Sequence, residues 1–258
     1  MAYKQGGNYH THRRDPSDTR PIGSLEVSVV GLGCNNFGRR LDSDSTSAVV
    51  NAALDEGINF FDTADVYGGT KSEEFLGGAL GRHRDDVVIA TKFGAPVDEK
   101  RKGATHSPEY VRPSCRGQPA PPQDRLYRPL PELHRPDPHV PIEDTLGALD
   151  ELVRTGKVRE IGCSNFSAEQ LRAVEEAARC EGRARFVSVQ NEYSLLHREP
   201  ERDVLPERLE VALIPYFPAG KRVAYGQVPP EDQPAPEGRV ASSPEGEIAC
   251  SRIGTLPL

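Results

Sequence analysis

The sequence predicts an α/β protein whose parallel strands close into a barrel, and two observations lead to that prediction. First, short apolar runs typical of buried parallel strands alternate with amphipathic helical segments along most of the 258 residues. Such an alternation indicates βαβ units. Second, a polar or charged residue follows strand after strand at its C-terminal end. Because a barrel delivers such residues to one shared cleft, the barrel is favoured over an open sheet.

The predicted elements follow the chain in regular order. Two short β-runs between residues 20 and 33, divided by Gly23-Ser24, predict a hairpin. Asp44 or Ser45 is the predicted cap of the first helix, which Gly57 ends. The remaining predictions are a strand over 58–61, a helix over 72–80, a strand over 87–90, a helix over 142–157, a strand over 158–163, a helix over 168–178, and strands over 186–189 and 211–216.

A doubly wound sheet that binds a dinucleotide is the alternative architecture. Gly31-Leu32-Gly33 begins the corresponding glycine fingerprint, but Asn36 stands where its third glycine would fall. The polar residues also follow several strands rather than gathering around one glycine-rich turn. Both features favour the barrel.

Composition and charge exclude several classes of protein. The net charge is −7 and the charged residues are mixed along the chain, which predicts no nucleic-acid partner. Five widely spaced cysteines without a CxxC pair are typical of reduced thiols in the cytoplasm. No apolar run approaches the roughly 18 residues of a membrane helix. Residues 1–16 are predicted to be a polar, disordered leader, with metal binding by His10 and His12 as the alternative.

Two stretches are rich in proline and poor in core-forming residues. Of the 23 prolines, six lie within 113–132, which argues against a regular helix or a central strand there. That stretch is therefore predicted to be irregular, and residues 218–258 are predicted to be a proline-rich, irregular tail. The sequence thus divides into a leader (1–16), a barrel (17–217) and this tail.

Five short blocks carry a family resemblance: FFDTADVYGG at 60–69, ATKFG at 90–94, LHRPDP at 133–138, GCSNF at 162–166 and VQNEYS at 189–194. In order and spacing they resemble the aldo/keto reductase family, over roughly residues 17–112 and 133–217. The resemblance implies a (β/α)8 TIM barrel whose bottom is closed by the predicted hairpin. It also implies that one strand, its helices and the adenosine-phosphate-binding segment are missing, so that the barrel is incomplete at the C-terminus.

The genetic code offers an explanation for the proline-rich stretches. Read one base later, residues 115–132 can encode AEDSLRRLRTDYIDLYQ, an amphipathic helix followed by a strand. Residues 219–231 can likewise encode ESGLLTGKYRRR, which resembles the family's loop after the seventh strand. Our hypothesis is that the gene or its sequence carries compensating frame errors near 113–132 and 218–231. A natural proline-rich tail is the alternative.

The resemblance places a catalytic tetrad on Asp62, Tyr67, Lys92 and His134. It implies that Tyr67 is the general acid, that Lys92 stabilises its deprotonated form, that Asp62 holds Lys92, and that His134 orients the carbonyl. Taken singly, these residues also fit a capping aspartate, a loop aromatic and an exposed lysine. His139 near His134 suggests a metal site, but no third ligand is evident, so none is predicted.

By the same resemblance, Ser164, Asn165 and Gln190 would hydrogen-bond a nicotinamide carboxamide, and Tyr216 would stack on its ring. A Ser-Asn helix cap and a barrel-lining tyrosine are the alternatives. The predicted function is hydride transfer from NAD(P)H, with NADP(H) inherited from the family, to an aldehyde or ketone. Two other functions stay open: a non-catalytic module that binds a nucleotide or a partner, and a damaged, inactive reductase.

Overall fold

The structure of the protein is a computed structural model that describes residues 19–95, 105–114, 130–205, 210–218 and 250–252. Three parts of the chain discussed above lie outside these ranges: the predicted leader with His10 and His12, residues 115–129 of the first reread segment, and the second reread segment at residues 219–231. The elements in chain order are β1 (Thr19–Ile22), β2 (Leu25–Ser28), β3 (Val30–Gly33), α1 (Ser43–Asp55), β4 (Phe60–Ala64), α2 (Ser72–Leu80), β5 (Val88–Phe93), α3 (Pro108–Ser114), β6 (Leu130–Leu133), α4 (Ile142–Arg154), β7 (Ile161–Ser164), α5 (Ala168–Glu181), β8 (Phe186–Glu192), β9 (Ala212–Tyr216) and β10 (Cys250–Arg252).

The strands β3 to β9 form one parallel sheet in which each strand lies beside the one that precedes it in the chain. These seven strands curl into a half-barrel, and helices follow β3, β4, β5, β6 and β7. The short strand β10 pairs with β3 in the antiparallel direction. The architecture confirms the predicted α/β class and the incomplete (β/α)8 barrel.

The hairpin β1–β2 closes the end of the half-barrel where the strands begin. It pairs in antiparallel register from Thr19 opposite Ser28 to Ile22 opposite Leu25, and Gly23 turns the chain with a φ of +55°. Its apolar side chains pack against the first inward-facing residues of the sheet, since one buried cluster contains Ile22, Leu25, Val27, Phe60, Ala90, Leu130 and Ile214. The hairpin does not cover the opposite end of the half-barrel, where the strands finish.

Alternate residues of β4 separate the inside of the sheet from the outside. Phe60 belongs to the cluster under the hairpin, whereas Phe61 packs with Val50, Leu76 and other residues of the outer helices. A strand points successive side chains to opposite faces, so Asp62 shares the inward face with Phe60. The sequence FFDTA therefore directs its carboxylate into the half-barrel.

Most element boundaries differ from the sequence predictions by a few residues, and two of these differences bear on the site. The first helix is capped by Asp42, whose carboxylate accepts a hydrogen bond from the Ser45 backbone N at 2.8 Å. Asp44 and Ser45 lie inside the helix, because only Asp42 has the extended backbone that a cap requires. The strand predicted at 58–61 begins at Phe60 and runs to Ala64. Asp62 is thus inside a strand and not beyond its end.

The prediction that prolines exclude a central strand within 113–132 is wrong at its C-terminal end. Strand β6 lies between β5 and β7, and Pro131 is its second residue. The pairing of β6 with β7 begins only at Glu132, so on that side Pro131 lies before the ladder. Proline is tolerated at the start of a strand because its missing N–H leaves no ladder bond unmade there.

None of the helices in the described ranges has the length and apolar character of a membrane span.

Candidate active site

A cavity of about 700 Å³ opens where the strands of the half-barrel end. All eight residues that the sequence singles out border it, although they come from six separate segments of the chain. The lining includes Asp62, Tyr67, Lys92, His134, Ser164, Asn165, Gln190 and Tyr216, together with Asn35, Arg39, Arg135 and Phe217.

A buried ion pair joins the neighbouring strands β4 and β5. The Lys92 ammonium donates to the Asp62 carboxylate, and their side chains are only 1% and 9% exposed. Nζ of Lys92 also lies 3.4 Å from the Thr63 carbonyl oxygen. Burial opposes the charge of Lys92, but Asp62, Tyr67 and Glu132 together outweigh it and raise the pKa of the ammonium. Lys92 therefore remains charged in the folded protein.

Tyr67 lies in a short 3₁₀ turn directly after β4, and two glycines shape that turn. Gly68 and Gly69 have φ values of +59° and +64°, and a Cβ on Gly68 would lie 2.0 Å from the Phe37 carbonyl oxygen. Only glycine fits there. The turn sets the Tyr67 ring over Lys92, whose Nζ is 5.4 Å from the ring centroid. Burial raises the pKa of the Tyr67 hydroxyl, and the Lys92 ammonium opposes that rise.

His134 follows β6 and meets Tyr67 edge-on, with the ring centroids 6.0 Å apart. Its backbone N donates to the Phe93 carbonyl at 2.8 Å, which continues the β5–β6 ladder by one residue. Burial, with the positive charges of Lys92 and Arg135, lowers the pKa of the imidazole to about 3. His134 is therefore neutral at physiological pH. Its Nδ1 is buried and has no hydrogen-bond partner in the described part of the chain.

A network of neutral groups lies on the other side of the cavity. The Asn165 amide donates to the His134 carbonyl and to the Ser164 hydroxyl, both at 3.0 Å, while its oxygen accepts from the Tyr216 hydroxyl at 2.8 Å. Asn165 reaches these partners from a left-handed backbone with a φ of +60°, a conformation that asparagine tolerates. The Ser164 hydroxyl donates to the Gln190 carbonyl at 2.8 Å.

Glu132 is a buried residue of the site that the sequence analysis does not single out. Its carboxylate is fully buried and accepts from the Ser188 hydroxyl at 3.2 Å and from the Gln190 amide at 3.3 Å. The same amide donates to Asp62 at 3.0 Å. Its position in the sequence could have indicated it, because Glu132 stands two residues before His134 and would share the same face of a strand. The sequence, however, predicts that the stretch around Glu132 is irregular.

Metal ligands do not assemble in this part of the molecule. Across the described ranges, no three His, Cys, Asp or Glu side chains gather into a group that could hold a metal ion. His139 lies in the loop that follows His134 and is exposed. Its backbone N donates to the Asp137 carboxylate at 2.9 Å.

Comparison with known proteins identifies the family. The family model described as "Aldo/keto reductase family" matches residues 29–247. A curated relative from Glycine max, "Probable aldo-keto reductase 1", is 37% identical over 221 residues, which cover 81% of this chain and 61% of that protein. The chain therefore spans about three fifths of the length of this relative. Together with the parallel half-barrel, these matches show that the chain belongs to the aldo/keto reductase family.

Proposed function

We propose that this chain is an oxidoreductase that transfers a hydride from a nicotinamide cofactor, NADP(H) by family, to a small aldehyde or ketone. The observation that carries the proposal is the contact of the Tyr67 ring with the buried Lys92–Asp62 pair at the wall of one cavity. A tyrosine beside a permanently charged lysine is equipped to give up a proton, which carbonyl reduction requires.

The four residues of the proposed tetrad divide the work. A bound reduced nicotinamide would supply the hydride. Tyr67 gives its proton to the carbonyl oxygen as negative charge develops there, and Lys92 stabilises the resulting tyrosinate. Asp62 keeps Lys92 charged and fixed in position. His134, being neutral, has one N–H that can hydrogen-bond to the carbonyl oxygen and orient it.

The polar groups across the cavity fit a carboxamide, which has one acceptor and two donor hydrogens. Ser164, Asn165 and Gln190 provide hydroxyl and amide groups of both kinds, and Tyr216 presents a half-buried ring at the same wall. Asn165 has both of its amide ends engaged, by His134 and Ser164 at one end and Tyr216 at the other. Both donor hydrogens of Asn165 are engaged, so a carboxamide oxygen that accepts from Asn165 must replace one of those two bonds, whereas the Asn165 oxygen can accept a second hydrogen bond beside that of Tyr216.

A spectrophotometric assay of the full chain tests the proposal. Oxidation of NADPH and of NADH is followed with a panel of aldehydes and ketones, and cofactor binding is measured separately by fluorescence. We expect turnover, and Tyr67→Phe should reduce it by about 10²- to 10⁴-fold while the cofactor affinity stays nearly the same. Unchanged turnover in that variant would refute the assignment of Tyr67 as the acid.

Two other outcomes distinguish the alternatives. Cofactor binding without turnover of any carbonyl would favour a non-catalytic nucleotide-binding module. If neither binding nor turnover occurs in this chain, but both appear once residues 115–132 and 219–231 carry the reread sequences, the chain is a damaged reductase. The mixed charge along the sequence and the free thiols of Cys34, Cys163 and Cys180 support a cytoplasmic location for the enzyme, which fractionation of the native cells would test.

A further inference from the structure

Glu132 is a buried carboxyl to which the proposed mechanism gives no role. It lies opposite Lys92 in the β5–β6 register and is completely shielded from solvent. Its hydrogen bonds come from two neutral groups on β8, the Ser188 hydroxyl and the Gln190 amide. Among the described residues, no cation lies within ion-pair distance of it. A buried carboxylate in this position is costly unless it carries a proton.

The groups that face Glu132 leave it without a positive partner of its own. Lys92 on β5 is the one cation of the network in the described structure, and it is paired with Asp62 on β4. Cys163 on β7 is a buried thiol, and Ser188 and Gln190 on β8 are neutral. The Gln190 amide links the two carboxyls by donating to both. Two carboxyls therefore share one ammonium and one amide.

We propose, on the basis of the proposed function, that Glu132 is a positioning residue. Whether Glu132 holds its proton controls how readily Tyr67 gives up its own. With Glu132 protonated, the formation of a tyrosinate leaves two anions, Asp62 and Tyr67, beside the ammonium of Lys92. With Glu132 ionised, it would leave three anions around the same single cation. In a buried network this extra repulsion disfavours the tyrosinate and weakens Tyr67 as an acid.

The expected pH range follows from the surroundings of the carboxyl. Burial raises the pKa of Glu132 to about 8, although Lys92 pulls it downward. Glu132 therefore holds its proton at neutral pH and loses it in mildly alkaline solution. Carbonyl reduction should then slow as the pH rises through that range, before Tyr67 itself ionises.

The decisive variant is Glu132→Gln, which removes the titration and keeps the shape. A glutamine oxygen can accept from Gln190, and its amide can donate to Ser188, because a serine hydroxyl serves as donor or acceptor. The reread frame ends in Gln directly before Leu133, so this change also restores the residue that our frame hypothesis assigns there.

The test reads Tyr67 directly and does not need turnover. The full chain is labelled with ¹³C at the tyrosine ring carbon that bears the hydroxyl, and its eight tyrosines are titrated by NMR, with Tyr67→Phe assigning the signal. In Glu132→Gln we expect Tyr67 to ionise at a pH lower by about one unit. The same titration curve in both proteins would overturn the proposal.

A kinetic comparison separates this proposal from the proposed function. In the parent chain the rate of carbonyl reduction should fall above about pH 8, and in Glu132→Gln that fall should move to higher pH, with the cofactor KM unchanged. Coincident pH profiles would overturn the role of Glu132. If no chain reduces any carbonyl, the reductase function fails, and the tyrosine titration still decides whether Glu132 governs Tyr67.

Discussion

The two sides of the cavity are built in opposite ways. On the side of the proposed proton donor Tyr67, here called the proton side, Asp62 and Lys92 form a charged pair that is buried within the sheet and complete without a ligand. On the side where we propose that the carboxamide binds, here called the carboxamide side, Asn165 and Tyr216 are half-buried, neutral and bonded to each other. The first side is part of the protein's own stability, whereas we propose that the second exchanges internal bonds for ligand bonds. Substitutions should therefore affect folding on one side and binding on the other.

The largest effect is expected from Lys92→Met. This change leaves the Asp62 carboxylate buried without its cation, and it removes the positive charge that lowers the pKa of Glu132. Removing one partner of a buried ion pair typically costs about 3–5 kcal/mol. The free energy of unfolding, measured with urea at pH 7, should fall by that amount.

Arg185→Gln is the matched control for this prediction. Arg185 forms an ion pair with Glu175 at 2.8 Å, but the two side chains are 47% and 27% exposed. Such surface pairs contribute about 0–1 kcal/mol. Equal losses in the two variants would show that the Asp62–Lys92 pair has no special role in stability, and the contrast between the two sides would be lost.

A smaller effect, with a definite sign, is expected at His134, which lies between the two sides. Its folded pKa of about 3 is below the ordinary value of 6.5. As the pH falls below 6.5, the unfolded chain takes up a proton that the folded protein does not, so stability is lost progressively down to about pH 3. At pH 5 the loss from this residue is about 2 kcal/mol.

The His134 contribution is isolated by comparing His134→Gln with the parent chain at pH 7 and pH 5. The parent should lose more stability than the variant on acidification. Glu132 acts in the opposite direction, because folding raises its pKa from 4.5 to about 8. The stability that it contributes is fully present below pH 4.5 and is lost as the pH rises through about 8. It is present in both proteins and cancels. An identical pH dependence in the two chains would mean that folding does not lower the pKa of His134.

The same contrast explains what could be predicted from the sequence. Asp62, Lys92 and Tyr216 each end or interrupt an apolar run, and a parallel sheet brings such positions to one edge. Their convergence on one cavity therefore follows from local patterns and a family motif. The proposed roles in catalysis stay predictions.

Glu132 could not be found in that way. Its burial depends on the pairing of β6 with strands that are distant in sequence, and Pro131 beside it argues locally against any strand. The bonds from Ser188 and Gln190 come from β8, more than fifty residues later. A proline weighs against a strand by itself, but the ladder on either side decides whether its missing N–H matters.

The smallest effect is expected on the carboxamide side, from Tyr216→Phe. The variant loses the hydrogen bond to Asn165 but keeps the ring at the cavity wall. A hydrogen bond between half-buried neutral groups contributes about 1 kcal/mol, so stability should fall by no more than that. We propose that the nicotinamide carboxamide donates to the Asn165 oxygen and competes there with the Tyr216 hydroxyl, so removing this bond in advance should tighten cofactor binding by up to about fivefold.

Tyr216→Leu separates the hydroxyl from the ring. It also lacks the bond to Asn165, but it removes the flat surface on which we propose the nicotinamide stacks, so cofactor binding should weaken. In a fluorescence titration with NADPH, we expect Tyr216→Phe to bind the cofactor most tightly, the parent chain less tightly and Tyr216→Leu most weakly. If Tyr216→Phe and Tyr216→Leu bind the cofactor equally well, the ring makes no contact with it. If Tyr216→Phe binds the cofactor more weakly than the parent chain, the hydroxyl contacts the ligand directly, and the carboxamide side is preformed like the proton side.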